Sequence, residues 1–290
     1  MIPKGKLIAI GGAEDKGTDL EAGIIKRSHL NFFEIGILKT ISNLLTDKSD
    51  RIEIVTTASS VPDEVGEGYI NAFSKLGCDN VGHLKIRVRD EALTSESIER
   101  IKACKAVMFS GGNQLRLSSI FGGTEFLDIV KQRYEEEYFL IAGTSAGAMA
   151  MSLTMIYEGN ATNAHLKGEV KITTGLGFIN GVIIDSHFNK RGRFSRLAQA
   201  VAANPGAIGI GLGEDTGIIV TNGEQLSAIG SGSVVILDGR NIHYNNIADI
   251  EFNEPISVEN IIVHIMSKGT GYNIRTRTFH GAEIEVKPAE

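Results

Sequence analysis

Cysteine is scarce in this chain of 290 residues, which holds only Cys78 and Cys104. Two cysteines cannot build a disulfide framework, and their separation fits no metal site. They read as small buried hydrophobes in a reducing compartment. Long apolar runs are missing too, and every stretch falls far short of the roughly 18 residues that span a bilayer. No basic segment leads into an apolar run and cleavage site, because Met1 to Lys6 passes straight into a strand-like Leu7-Ile8-Ala9-Ile10. These absences predict a cytoplasmic protein with no membrane partner. An excess of positive charge is lacking as well. The net charge of −6 argues against nucleic acid as the main partner. No linker, low-complexity segment or internal repeat interrupts the chain, so residues 1–290 read as one domain.

What is present is an ordinary globular balance, 42% hydrophobic and 22% charged, on a chain long enough to bury a large core. Short β-rich runs alternate with helical patterns through the first half. Leu7–Ile10, Arg51–Thr57, Val81–Val88, Ala106–Phe109 and Tyr138–Ala142 read as strands. Asn31–Leu45, Pro62 to about Leu76, Ser95–Lys102 and Thr124–Glu136 read as helices. This alternation predicts an α/β fold with a mostly parallel sheet flanked by helices. Such sheets carry their sites at the carboxyl ends of strands, where Gly11-Gly12, Gly111-Gly112 and Gly143 cluster. Later comes a helix, Arg193–Ala203. The runs Ile208–Gly211, Gly217–Thr221, Gln225–Ile229 and Ser233–Leu237 then read as strands of a mixed or antiparallel extension. Asn222-Gly223 and Asp238-Gly239 mark hairpins there.

Gly143-Thr144-Ser145-Ala146-Gly147 fits Gly-x-Ser-x-Gly. Alone, the pattern also fits a turn whose serine merely caps a helix. Its context favours a nucleophile elbow, since a strand precedes it and small residues from Ala146 to Ser152 read as a helix after it. The Ala146 N–H, at that helix start, is placed to stabilise an oxyanion. No Gly-Lys-Ser/Thr follows, which argues against a P-loop.

A serine nucleophile needs a base, usually histidine, and a group to orient it. Of seven histidines, His29 and His83 precede the elbow, and His165, His243, His264 and His280 lie in loops or in the late β region. His187 follows the apolar run Gly181–Asp185 and so sits at a strand end. Glu214, after Ile208–Gly213, is the favoured acid, with Asp215 and Glu158 as alternatives. The order Ser, His, acid differs from that of α/β-hydrolases and argues against their fold. The second oxyanion donor is expected from Gly111-Gly112-Asn113-Gln114. Beyond His187 lie Lys190, Arg191, Arg193 and Arg196. Cations are disfavoured at a helix start, and arginine binds carboxylates bidentately, so this cluster points to an acidic substrate.

At these residues the sequence resembles the cyanophycinase family of serine peptidases, which also contains aspartyl dipeptidase. The matching stretches are Ile10 to Lys16, Phe109 to Gln114, Gly143 to Ala148, Ile184 to Phe188 with Arg191-Gly192-Arg193 and Arg196, and Gly213 to Thr216. The resemblance implies a flavodoxin-like or glutamine-amidotransferase-like fold, with Ser145 as nucleophile, His187 as base and Glu214 as its orienter. It places Gly112 and Ala146 in the oxyanion hole and Gln114, Asp185, Arg191, Arg193 and Arg196 around the substrate. Asp185 would hold a substrate guanidinium or amine, and the arginines its carboxylates. It also implies a homodimer that needs no metal or organic cofactor. The implied substrate is cyanophycin, a poly-aspartate with arginine on each β-carboxyl, cleaved to β-Asp-Arg dipeptides. One departure is Ser186, where the family pattern has Gln. Two other readings compete: a dipeptidase for aspartyl or isoaspartyl peptides, and a non-catalytic relative that binds a small acidic ligand.

Overall fold

The structure is a computed structural model that describes residues 2–17, 32–34 and 36–281. The first half alternates strand and helix. Strands β1 (Lys6–Ile10), β2 (Ile52–Val55), β3 (Val81–Leu84), β4 (Ala106–Phe109) and β5 (Leu140–Thr144) alternate with α1 (Ile37–Leu44), α2 (Pro62–Lys75), α3 (Arg89–Ala92), α4 (Ser95–Ala103), α5 (Gln114–Phe121) and α6 (Glu125–Glu136). Next come α7 (Ala146–Met149), β6 (Thr154–Glu158), β7 (Lys171–Thr174), β8 (Val182–Asp185) and α8 (Phe194–Ala203). The remainder is β-rich: β9 (Ile208–Leu212), β10 (Thr216–Thr221), β11 (Gln225–Gly230), β12 (Val234–Asp238), β13 (Ile262–Met266), β14 (Gly271–Asn273) and β15 (Thr278–His280). Helix starts follow local chemistry. Pro62 opens α2, and the Thr124 hydroxyl caps α6 by accepting from the Leu127 N–H at 3.3 Å.

The main sheet runs β15-β14-β11-β10-β1-β5-β4-β2-β3. Its β1-β5-β4-β2-β3 half is parallel, and its other half is antiparallel. The parallel half is apolar on both faces, as sandwiching between helices requires. Leu7 and Ala9 join one core cluster, while Ile8 and Ile10 join another. A second sheet, β13-β12-β9-β8, packs against α8 through Ile183, Leu237, Leu197 and Val201. No helix among the described residues is long and apolar enough to cross a membrane.

Several expectations are corrected. Of the four late strands, β10 and β11 extend the main sheet, but β9 and β12 leave it for the second. The corner between β9 and β10 is Gly213-Glu214-Asp215, with Asp215 at φ 46°. Asn222-Gly223 makes the expected hairpin, with both residues at positive φ. Asp238-Gly239 does not, because β12 pairs with the distant β13 and Gly239 is not left-handed. The helix expected over Ala146–Ser152 stops at Met149, since the Ala150 and Met151 carbonyls accept from the N–H groups of Leu176 and Phe178. The strand expected to reach Val88 ends at Leu84. The helix expected over Asn31–Leu45 begins at Ile37, while His29, Asn31 and Ile35 lie outside the described residues.

Candidate active site

Three loops meet at the carboxyl end of β1, and its backbone gathers them. The carbonyls of Ile10, Gly11 and Gly12 accept, in order, from the N–H groups of Ser145 (2.8 Å), His187 (2.8 Å) and Asp215 (2.9 Å). A strand end cannot use these carbonyls in its own ladder, so they serve as fixed acceptors for neighbours. Glycine is required here by space. A Cβ on Gly12 would overlap the His187 ring, and Gly12 is itself at φ 106°.

Ser145 sits at φ 51°, ψ −110°, a conformation that costs a non-glycine residue of order 1–3 kcal/mol. The surrounding glycines allow it. A Cβ on Gly143 would come within 2.6 Å of the Gly147 backbone. His187 (φ 48°), Asp215 (φ 46°) and Ala13 (φ 52°) are strained in the same sense, so left-handed backbone gathers where the three loops converge.

The Ser145 hydroxyl lies 3.0 Å from His187 Nε2, and His187 Nδ1 lies 2.9 Å from Glu214 Oε1. A neutral imidazole protonated on Nδ1 satisfies both contacts: Nδ1–H donates to the carboxylate and Nε2 accepts from the hydroxyl. Lys190 Nζ stands 3.3 Å from the same carboxylate oxygen. Burial raises the Glu214 pKa, but hydrogen bonds from His187 and Lys190 and the Lys190 charge outweigh it, holding the carboxyl below the usual glutamate range. The alternative acids lie elsewhere. Asp215 accepts from the Ser231 hydroxyl at 2.6 Å, and Glu158 pairs with Lys171 at 3.0 Å.

Gly111 and Gly112 reach the serine from β4. A Cβ on Gly111 would stand 3.2 Å from Ser145 Cβ. The Ala58 carbonyl buttresses this turn, accepting from the Asn113 N–H at 2.9 Å. Among the described residues, neither the Gly112 nor the Ala146 N–H donates to a backbone carbonyl. Gln114 Nε2 donates to the Ile156 and Tyr157 carbonyls at 3.0 and 3.1 Å, tying α5 to β6.

The basic cluster divides. Arg191 is exposed and lines a cavity of about 390 Å³ together with Ser145 and His187. Arg193 and Arg196 turn the other way, onto Asp185. Arg193 donates to Asp185 Oδ1 at 3.1 Å and to the Ser186 carbonyl at 2.7 Å. Arg196 donates to both Asp185 oxygens, through Nε to Oδ2 at 2.8 Å, and to the Gly159 carbonyl at 3.1 Å. Asp185 is 0% exposed and Arg196 4%, so these two stand behind the cavity wall instead of on it. Burial, with Arg196 and Arg191 nearby, pulls the Arg193 guanidinium down to about 10 despite Asp185, which still leaves it charged at neutral pH. Ser186 is buried, its hydroxyl 3.2 Å from Met149 Sδ.

The cavity is also lined by Glu14, Lys16, Tyr69 and Thr144, none of them among the residues expected at the site. Glu14 accepts from the Tyr69 and Thr144 hydroxyls, the latter at 2.7 Å. Its signal was a carboxylate just beyond a Gly-Gly strand end. Tyr69 had none, because the crossing of α2 over that strand end is a tertiary fact.

Residues 29–228 match Peptidase family S51. A cyanophycinase of Synechococcus elongatus is 35% identical over 273 residues, covering 94% of this chain and 80% of the relative. One from Trichormus variabilis is 35% identical over 275 residues, covering 95% and 87%. One from Geminocystis herdmanii is 31% identical over 273 residues, covering 94% and 95%. A crystal structure of a peptidase from an acI-B1 Actinobacterium superposes with a TM-score of 0.66 at 19% identity, covering 93% of this chain and 97% of that one. At that identity the superposition speaks for the fold alone, while the sequence match spans both the serine turn and the histidine strand end: the chain belongs to peptidase family S51 and is a serine-type peptidase.

Proposed function

We propose that this peptidase hydrolyses cyanophycin to β-Asp-Arg dipeptides through an acyl-enzyme on Ser145. The observation that carries the reading is the unbroken line from the Ser145 hydroxyl through His187 to Glu214, opening into a cavity that Arg191 also lines. Relatives at 31–35% identity that are cyanophycinases support the choice of polymer.

His187 Nε2 takes the Ser145 proton as Oγ attacks an aspartyl main-chain carbonyl. Glu214 holds the ring with Nδ1–H toward itself and stabilises the imidazolium that forms. The N–H groups of Gly112 and Ala146 receive the oxyanion of the tetrahedral intermediate. The imidazolium then protonates the leaving amine. Water, deprotonated by the same histidine, attacks the acyl-enzyme and frees Ser145. Residues 1–290 act in this reading as one hydrolytic domain, cytoplasmic and paired as a homodimer, with Gln114 and Arg193 shaping the site from behind.

A turbidity assay on insoluble cyanophycin tests it. The wild-type protein clears the suspension and releases β-Asp-Arg, and Ser145→Ala lowers the rate about 10⁶-fold while keeping the fold. A wild-type protein that leaves the granules intact refutes the polymer assignment. A Ser145→Ala protein that clears them refutes the nucleophile.

A further inference from the structure

Glu14 is a carboxylate buried to 7% exposure on the wall of the cavity that holds Ser145 and His187. Its partners are neutral: the Tyr69 phenol on one oxygen and the Thr144 hydroxyl on the other. Burial, and then the Glu14 charge beside it, push the Tyr69 phenol well above its ordinary pKa, so it stays a donor. Among the described residues no cation lies within ion-pair distance of Glu14. Lys16, the nearest candidate by sequence, sets its ammonium 4.1 Å from the centroid of the Tyr69 ring instead. Two hydroxyls fill about half of a carboxylate's acceptor sites. A buried carboxylate normally finds a cation, because desolvating it alone is costly.

Asp185, the acid expected to meet a substrate cation, has that capacity already filled by Arg193, Arg196 and the Ser186 N–H. Glu14 has it open and faces the cavity. Arg191, on the same cavity, enters no side-chain ion pair among the described residues. The cavity therefore offers one anion, Glu14, and two cations, of which Lys16 sits on the Tyr69 ring and Arg191 is exposed. An arginine joined through its α-amine to an aspartyl β-carboxyl carries the complement, a free guanidinium and a free α-carboxylate.

We infer that Glu14 is the specificity-determining residue that receives the substrate guanidinium, with Arg191 facing the α-carboxylate of the same arginyl group. This rests on the cyanophycin reading, and it is tested in a form that does not need turnover. β-Asp-Arg and β-Asp-citrulline have nearly the same shape, but the ureido group of citrulline is neutral. Their binding to Ser145→Ala protein is compared by calorimetry with and without Glu14→Gln. With Glu14 present, the arginyl dipeptide binds on the order of 100-fold tighter than the citrullyl one, as expected for a partly desolvated charge pair. Glu14→Gln abolishes that preference by weakening the arginyl ligand alone, and Glu14→Asp, which keeps a carboxylate, restores part of it. Thermal melts confirm that each variant is folded. An equal preference in both backgrounds, equal losses for both ligands, or no binding of either overturns the inference. If the preference follows Glu14 while cyanophycin granules stay intact, the polymer reading falls and the guanidinium site stands.

Discussion

Asp185 and Glu214 stand at the ends of adjacent parallel strands, and both face basic side chains, yet they do different work. Asp185 closes β8, is 0% exposed, and has its oxygens taken by two arginines and a backbone N–H. Glu214 follows β9, is 21% exposed, and gives one oxygen to His187 and Lys190. The first is a closed cluster that fixes a strand end and, through Ser186, the residue before the histidine. The second is an open line with capacity left for a reaction. Charge and proximity to His187 do not separate the two; exposure and unused hydrogen-bonding capacity do.

The largest effect should come from the open line. Glu214→Gln keeps the size of the side chain but removes the charge that fixes the imidazole tautomer. We expect kcat to fall about 10³- to 10⁴-fold with KM little changed, read by steady-state hydrolysis of a soluble β-aspartyl-arginine oligomer. A variant within tenfold of wild type would break the comparison, because Glu214 would then be as structural as Asp185.

The closed cluster should respond in stability instead. Asp185→Asn strands the buried Arg196 and Arg193 guanidinia without a counter-charge, a loss of about 3–5 kcal/mol in urea unfolding. The folded fraction should lose far less turnover than Glu214→Gln does. The reverse pattern, stability kept and affinity for acidic substrates lost, would put Asp185 back on the substrate.

Much of this site was legible in the sequence because its residues lie next to glycines at strand ends, and local pattern marks such places. Ser145 stood in an elbow pattern, His187 ended an apolar run, and Glu214 followed another. The parallel half of the sheet was legible for a similar reason, since strand and helix alternate there with clear periodicity. Orientation was not legible. Arg191 and Arg193 are two residues apart, yet Arg191 lines the cavity while Arg193 binds Asp185, with Gly192 at φ 58° between them. The split of the late strands into two sheets was hidden too, because strand patterns give no information about which edge a strand joins. Glu14 lies in a stretch that matches the family, but its role depends on Tyr69 and Thr144, which only the fold brings around it.

The smallest expected effect sharpens the comparison through pH. The Glu214 carboxyl is held below the ordinary glutamate value of 4.5, so folding favours its ionised form. A depressed folded value means that the stabilisation is fully present above the unfolded pKa and disappears as pH falls through the folded one. The stability difference between wild type and Glu214→Gln should therefore be flat from neutral pH down to about 4.5 and shrink only below it. Urea titrations from pH 3 to 7 on both proteins read this directly. The effect is modest, because Glu214 is partly solvated and one of its two partners, Lys190, is exposed. A difference that already declines between pH 7 and 5 would mean that the carboxyl titrates higher than its bonds to His187 and Lys190 allow, and that the line from Ser145 to Glu214 is not held by an ionised acid. In the same way, activity lost on acidification well above pH 4.5 must come from a group other than Glu214.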